Sequence, residues 1–303
     1  MTTSRPLGGS PGTPTLSQWW AGARPRTLPA ALAPVVIGTA LAGTGWIPLR
    51  AALALIVALA LQIGVNYAND YSDGIRGTDE RRVGPIRLVG QGIAQPSKVR
   101  NAAFVCFGIA ALSGLTLVAL SGYWWLLLVG AASIAAAWFY TGGSRPYGYA
   151  GWGEVFVFVF FGLVPVLGTM YVQVGSINVT AVLASIGIGV LICAILVTNN
   201  LRDIPSDTES GKRTLAVRLG DSRTRAFFAA LLAVAFAMIV AMAFTAGPWV
   251  LLGLVALPWA WRPWRIVMSR TRGPGLIPAL VATGQLVSVY AIALSLGLVI
   301  PVL

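Results

Sequence analysis

The feature that most constrains this chain is a series of long apolar runs separated by short polar segments. A helix crossing about 30 Å of hydrocarbon needs about 20 residues at 1.5 Å each. Nine stretches meet that length, at roughly 28–47, 51–71, 101–120, 123–141, 153–174, 179–199, 226–246, 248–266 and 276–301. Only 10% of the 303 residues are charged and 57% are hydrophobic, too few charges to cover a water-soluble surface. The pattern predicts an all-α integral membrane protein with nine transmembrane helices. Residues 1–18 are expected to be a disordered tail ahead of a single membrane domain, 19–303, with Trp19 and Trp20 as an interfacial anchor. No cleavable signal peptide is expected, because the first apolar run starts too late.

Net charge is +12, yet the basic residues sit between apolar runs, so they read as a topology signal rather than a nucleic-acid surface. With nine spans, every Lys and Arg but Arg50 falls on one side of the membrane. The positive-inside rule then puts the N-terminus in the cytoplasm and the C-terminus outside. All nine acids fall on that same cytoplasmic side. The chain has no His, which excludes imidazole bases and imidazole metal ligands. Cys106 and Cys193 lie in separate apolar runs and read as buried, inert thiols.

Two acidic clusters carry the chemistry. The second span ends in Asn66-Tyr-Ala-Asn-Asp70-Tyr-Ser-Asp73, and the sixth in Asn199-Asn-Leu-Arg-Asp203-Ile-Pro-Ser-Asp207. Each has an Asn, an Asp four residues on, and another Asp three or four beyond. Such offsets share one helix face, although Pro205 threatens the second face at Asp207. Each cluster is followed by a Gly and basic residues: Gly77 with Arg81, Arg82 and Arg87, and Gly211 with Lys212 and Arg213. The clusters lie four spans apart, as in a chain with an internal repeat, so their acids are expected to converge on one cavity. Carboxylate and amide oxygens are hard ligands suited to Mg²⁺, which completes its shell with water and substrate phosphate. Two acidic faces with flanking cations therefore suit a metal-bridged diphosphate whose apolar remainder lies between the spans.

At these residues the sequence resembles the UbiA superfamily of intramembrane prenyltransferases. Three further stretches resemble more narrowly its MenA branch, which acts on 1,4-dihydroxy-2-naphthoate: 23–32, 140–149 leading to Gly153-Glu154, and 211–220. A fourth, 84–92, fits as well. The resemblance implies a UbiA-like bundle around a central cavity open to the cytoplasm. It implies Mg²⁺-dependent transfer of a polyprenyl group from polyprenyl diphosphate to 1,4-dihydroxy-2-naphthoate, with loss of CO₂ and diphosphate, giving demethylmenaquinone. The metal-binding and catalytic set carried over is Asn66, Asp70, Asp73, Asn199, Asp203 and Asp207. The Asp70–Asp73 spacing is one residue shorter than the superfamily's usual pattern, with Asp79 as an auxiliary ligand.

Arg87, Lys212 and Arg213 are assigned to the diphosphate, and Arg24, Tyr140 and Arg145 to the acceptor, with the diphosphate as the alternative partner of Arg24 and Arg145. Tyr67, Tyr71, Trp138 and Phe139, with Tyr140, are candidate π partners for an allylic cation. Glu154 is expected to pair with a loop arginine. The lipid bilayer is the other expected partner, with no nucleic acid and no obligatory protein partner. The rivals are an acceptor such as 4-hydroxybenzoate, a CDP-alcohol phosphotransferase and a secondary transporter. Asp70-x2-Asp73-Gly74 imitates the opening of the phosphotransferase motif, but the later acids of that motif are missing. A transporter would place coupling groups near the membrane midplane.

Overall fold

The computed structural model describes residues 14–77 and 86–302, and all regular structure in them is helical. Helix α1 is Leu16–Gly22, opened by a capping box in which Thr15 and Gln18 exchange hydrogen bonds. Helices α2 (Pro29–Leu41), α3 (Pro48–Ile75) and α4 (Pro96–Ser121) each begin on proline, which has no N–H to leave unpaired in a first turn. Helix α5 is Leu126–Phe139 and α6 is Gly153–Val174, with a π-helical turn at Phe158–Leu163. Helix α7 is Val179–Glu209 and α8 is Leu215–Ala246, broken by Gly220 at φ 74°. A 3₁₀ segment, Pro248–Ala256, leads into α9, Leu257–Met268, and α10 is Ile277–Val299.

All nine expected apolar runs are helical, and six helices are long and apolar enough to cross a membrane: α3, α4, α6, α7, α8 and α10 with its leading turn. The expected count of nine full spans is not reproduced by length. Helices α2 and α5 have 13 and 14 residues. The eighth run is divided between the 3₁₀ segment and α9. Helix α5 is short because 123–125 are used in the turn after Gly122 and the chain breaks again at Gly142-Gly143. Of the expected tail, 1–13 lie outside the described residues, and helical structure begins at Leu16.

Each motif helix packs most extensively against the helix that follows it, α3 on α4 and α7 on α8, as a repeat four spans long requires. The largest hydrophobic core surrounds α7 and joins it to α2, α8 and α10 through Ile37, Leu191, Phe228, Ile239 and Leu286. Helices α6 and α7 meet at two glycines: a Cβ on Gly162 would stand 2.5 Å from the Gly189 Cα. At the end of the bundle away from the motifs, Arg50 donates to the Leu120 carbonyl (2.6 Å) and the Val172 carbonyl (2.7 Å). One cation thereby answers the exposed C-terminal carbonyls of α4 and α6.

Candidate functional site

Between α2, α3, α4, α5, α6 and α7 lies one cavity of about 990 Å³. Its walls are mostly apolar, with Val35, Leu117, Val118 and Val172 among them. One end is polar. There, Asn66, Asn69 and Asp73 of α3 face Asn199, Asn200, Arg202 and Asp207 of α7, with Arg24, Arg87, Tyr140 and Lys212 around them. The two acidic clusters thus open onto a single chamber, as their spacing predicts.

A direct contact joins the clusters. Lys212, which follows the second motif, places its Nζ 3.3 Å from Oδ1 of Asp73 in the first, and both side chains are buried. The Tyr149 hydroxyl donates to the same Asp73 oxygen, and the Lys212 ammonium stands 4.5 Å from the centre of the Tyr149 ring. Tyr149 thus joins the contact between the clusters, although the sequence assigns no role to it within the 140–149 stretch.

Asp70 does not line the chamber. The cavity stripe of α3 runs through Ala58, Gln62, Asn66, Asn69 and Asp73, and Asp70 lies outside it, about 80° from its centre. Its carboxylate instead accepts the backbone N–H groups of Leu88 (2.7 Å) and Val89 (3.1 Å). Gly74 makes this close approach possible, since a Cβ there would lie 2.4 Å from Val89 Cγ1. Asp70 therefore pins the segment that carries Arg87 to the chamber wall.

Asp203 is also turned away, for a different reason. Arg202 donates to both of its oxygens, at 2.6 and 2.7 Å, and to Asn199 Oδ1 at 2.7 Å. Asp203 is 4% exposed and Arg202 6%, so this is a buried bidentate pair with Arg202 on its chamber side. Asp207 does reach the chamber, because α7 continues through Pro205 rather than breaking there. Asn66 donates to the Ala23 carbonyl (2.9 Å) and Thr27 Oγ1 (3.0 Å), which ties the Arg24 segment to α3.

Arg145 and Arg213 are not brought into the cavity: both are exposed and absent from its lining. Arg213 follows Lys212 in an extended link whose backbone N–H is held by the Tyr149 carbonyl at 2.8 Å, so successive side chains point opposite ways. Tyr67 packs against Trp19 and hydrogen-bonds its carbonyl, Tyr71 stacks on Trp138, and Phe139 is 53% exposed. Of the proposed π partners only Tyr140 lines the chamber, where Trp20, Tyr147, Tyr149, Phe156, Phe160 and Phe161 are the other rings. Burial raises the Tyr147 phenol above its ordinary range, which keeps it protonated at neutral pH. Glu154 accepts from Asn200 Nδ2 at 2.9 Å rather than from a loop arginine. Asp79 lies outside the described residues.

The donor chemistry of the chamber fits Mg²⁺. Asn66, Asp73, Asn199 and Asp207 present oxygen-bearing side chains from both motifs to one space. Among the described residues no three His, Cys, Asp or Glu side chains form a ready-made metal cluster. That sparse set suits an ion that takes one or two protein carboxylates and fills its remaining positions with water and phosphate oxygens.

The chain belongs to the UbiA prenyltransferase family, which it matches over residues 31–275. It is 53% identical over 285 residues to the 1,4-dihydroxy-2-naphthoate octaprenyltransferase of Mycobacterium tuberculosis (strain ATCC 25618 / H37Rv), an alignment covering 93% of this chain and 96% of that protein. It is 44% identical over 222 residues to the protein of the same name in Escherichia coli (strain K12), covering 71% and 72% of the two chains. Its fold is similar to that of a UbiA homologue from Archaeoglobus fulgidus solved with GPP and Mg²⁺, with a TM-score of 0.66 at 12% identity over 92% of this chain and 99% of that one.

Proposed function

We propose that this multi-pass membrane protein is a Mg²⁺-dependent prenyltransferase of menaquinone biosynthesis. It joins a polyprenyl group from polyprenyl diphosphate to 1,4-dihydroxy-2-naphthoate. The observation that carries the reading is the Asp73–Lys212 pair, which closes two separate acidic motifs onto the mouth of one apolar chamber. Relatives up to 53% identical over nearly the whole chain bear the corresponding enzyme name.

The polar end suits the diphosphate and the apolar chamber suits the prenyl tail. Asp73 and Asp207, with Asn66 and Asn199, would hold Mg²⁺, which when bound neutralises diphosphate charge and so favours its departure. Asp70 and Asp203 support from behind, the first by fixing the Arg87 segment and the second by holding Arg202 at the chamber wall. Arg87 and Lys212 supply the cations that meet the leaving diphosphate.

The allylic C–O bond breaks with its electron pair on the diphosphate. The electron-rich ring carbon bearing the carboxylate then forms the new C–C bond. Loss of CO₂ returns the electron pair of its bond to the ring, giving the hydroquinone form of demethylmenaquinone. No strong base is needed, which agrees with a chain lacking His. Apolar walls and the Tyr140, Tyr147 and Phe156 rings keep water from the cation. Arg24 and Tyr140 are placed to receive the acceptor.

In the cell membrane the charge bias puts the N-terminus and the chamber mouth in the cytoplasm and the C-terminus outside. The test is purified protein given radiolabelled polyprenyl diphosphate with 1,4-dihydroxy-2-naphthoate or 4-hydroxybenzoate, with and without Mg²⁺. A prenylated, decarboxylated naphthalene formed only with Mg²⁺ supports the reading. Transfer to 4-hydroxybenzoate alone, or none at all, contradicts it.

A further inference from the structure

Toward the end of the bundle that carries both motifs lies a second cleft outside the chamber, mostly apolar but with one cation in its lining. A surface cleft of about 280 Å³ between α9 and α10 is lined by Pro258, Trp259, Arg262, Ala282 and Gln285. Arg262 lies about 9 Å along α9 from its end at Met268, and Gln285 about 12 Å along α10 from Ile277. Both side chains are exposed, and on the reading proposed above this face of the bundle lies in the membrane. Among the described residues neither the Arg262 guanidinium nor the Gln285 amide has a protein partner. A guanidinium facing lipid at this depth is costly without an anion, and the indole N–H of Trp259 adds a further donor.

We infer that this cleft is a binding site for the anionic headgroup of a membrane phospholipid. Arg262 meets the phosphate, and Gln285 and Trp259 supply neutral hydrogen bonds. The surroundings favour a lipid over a free anion or a second copy of the chain. Beyond Gln285 on the same face of α10, Ile292 (59% exposed) and Leu296 (55% exposed) form an apolar strip along which an acyl chain can lie. Exposed Arg265, Arg270 and Arg272 add positive charge that attracts an anionic leaflet and repels an identical subunit.

The test is native mass spectrometry of the full chain in detergent, titrated with phosphatidylglycerol, phosphatidylcholine or inorganic phosphate. Phosphatidylglycerol is expected to bind tightest. Arg262→Gln should weaken it about tenfold and Gln285→Leu about threefold. Arg265→Gln, on the same helix but outside the cleft, should leave it near wild type. Prenyl transfer by all three variants at the wild-type rate shows that each is folded. Equal binding of the two lipids, equal losses in Arg262→Gln and Arg265→Gln, binding of inorganic phosphate but not lipid, or a dimer that covers the cleft would each overturn the assignment.

Discussion

Helices α3 and α7 end in corresponding Asn–Asp–Asp patterns, yet the protein surrounds them differently. Over its most apolar stretch α3 is 28% buried and α7 67%. Helix α3 faces the chamber on one side and lipid on the other, whereas α7 forms the centre of the largest core. The middle aspartate follows this difference. Asp70 has a loop backbone to bind, and it binds that loop. Asp203 sits in a packed helix end and takes a neighbouring guanidinium. In both motifs the last aspartate faces the chamber. Repetition of a motif thus brings two acidic helix ends to one chamber, while packing sets which of their carboxylates face it.

Substitution separates these roles. The largest effect is expected from Asp73→Asn and Asp207→Asn, each lowering kcat/KM by about 10²–10³-fold; Asp73→Asn should also lower the melting temperature, because it leaves the buried Lys212 ammonium without its counter-charge. Steady-state transfer assays and melting curves on the same preparations check this. Asp203→Asn should act mainly on stability, because it leaves a buried guanidinium without its counter-charge. A loss of about 3–5 kcal/mol is expected in denaturant unfolding in detergent. Asp70→Asn should cost less, about 1–3 kcal/mol, because one of two backbone donors keeps an acceptor. Its signature is faster hydrogen exchange at Leu88 and Val89. Arg50→Ala, at the opposite end of the bundle, should cost about 1 kcal/mol and leave kcat unchanged. A large kcat effect there would show that the two ends are coupled.

Much of this was legible in the sequence, for identifiable reasons. Apolar run length and the placement of Asp and Arg are properties of the chain itself, so helicity, the motifs and their common chamber could be read directly. The fate of each carboxylate could not. Asp70 and Asp73 are three residues apart and only about 60° apart round the helix, and the approach of Leu88 and Val89 decides that one is consumed as an anchor. Tyr149 was equally hidden, since nothing local to 140–149 announces that its hydroxyl meets an aspartate 76 positions away. Gly74 carried a signal that is readable afterwards: a glycine one residue after the motif permits the tight contact with Val89. The shortness of α5 could have been read from the Gly142-Gly143 pair.

The account depends on both motifs serving one ligand. Its most direct test is Mg²⁺-dependent binding of a non-reactive prenyl thiolodiphosphate to the wild type, Asp73→Asn, Asp207→Asn and the double variant, measured by titration calorimetry. Each single variant should weaken binding about 100-fold, and the double variant should lose much less than the product of the two losses, as expected for a shared site. Near wild-type binding in either single variant, or losses that multiply in full, would contradict it.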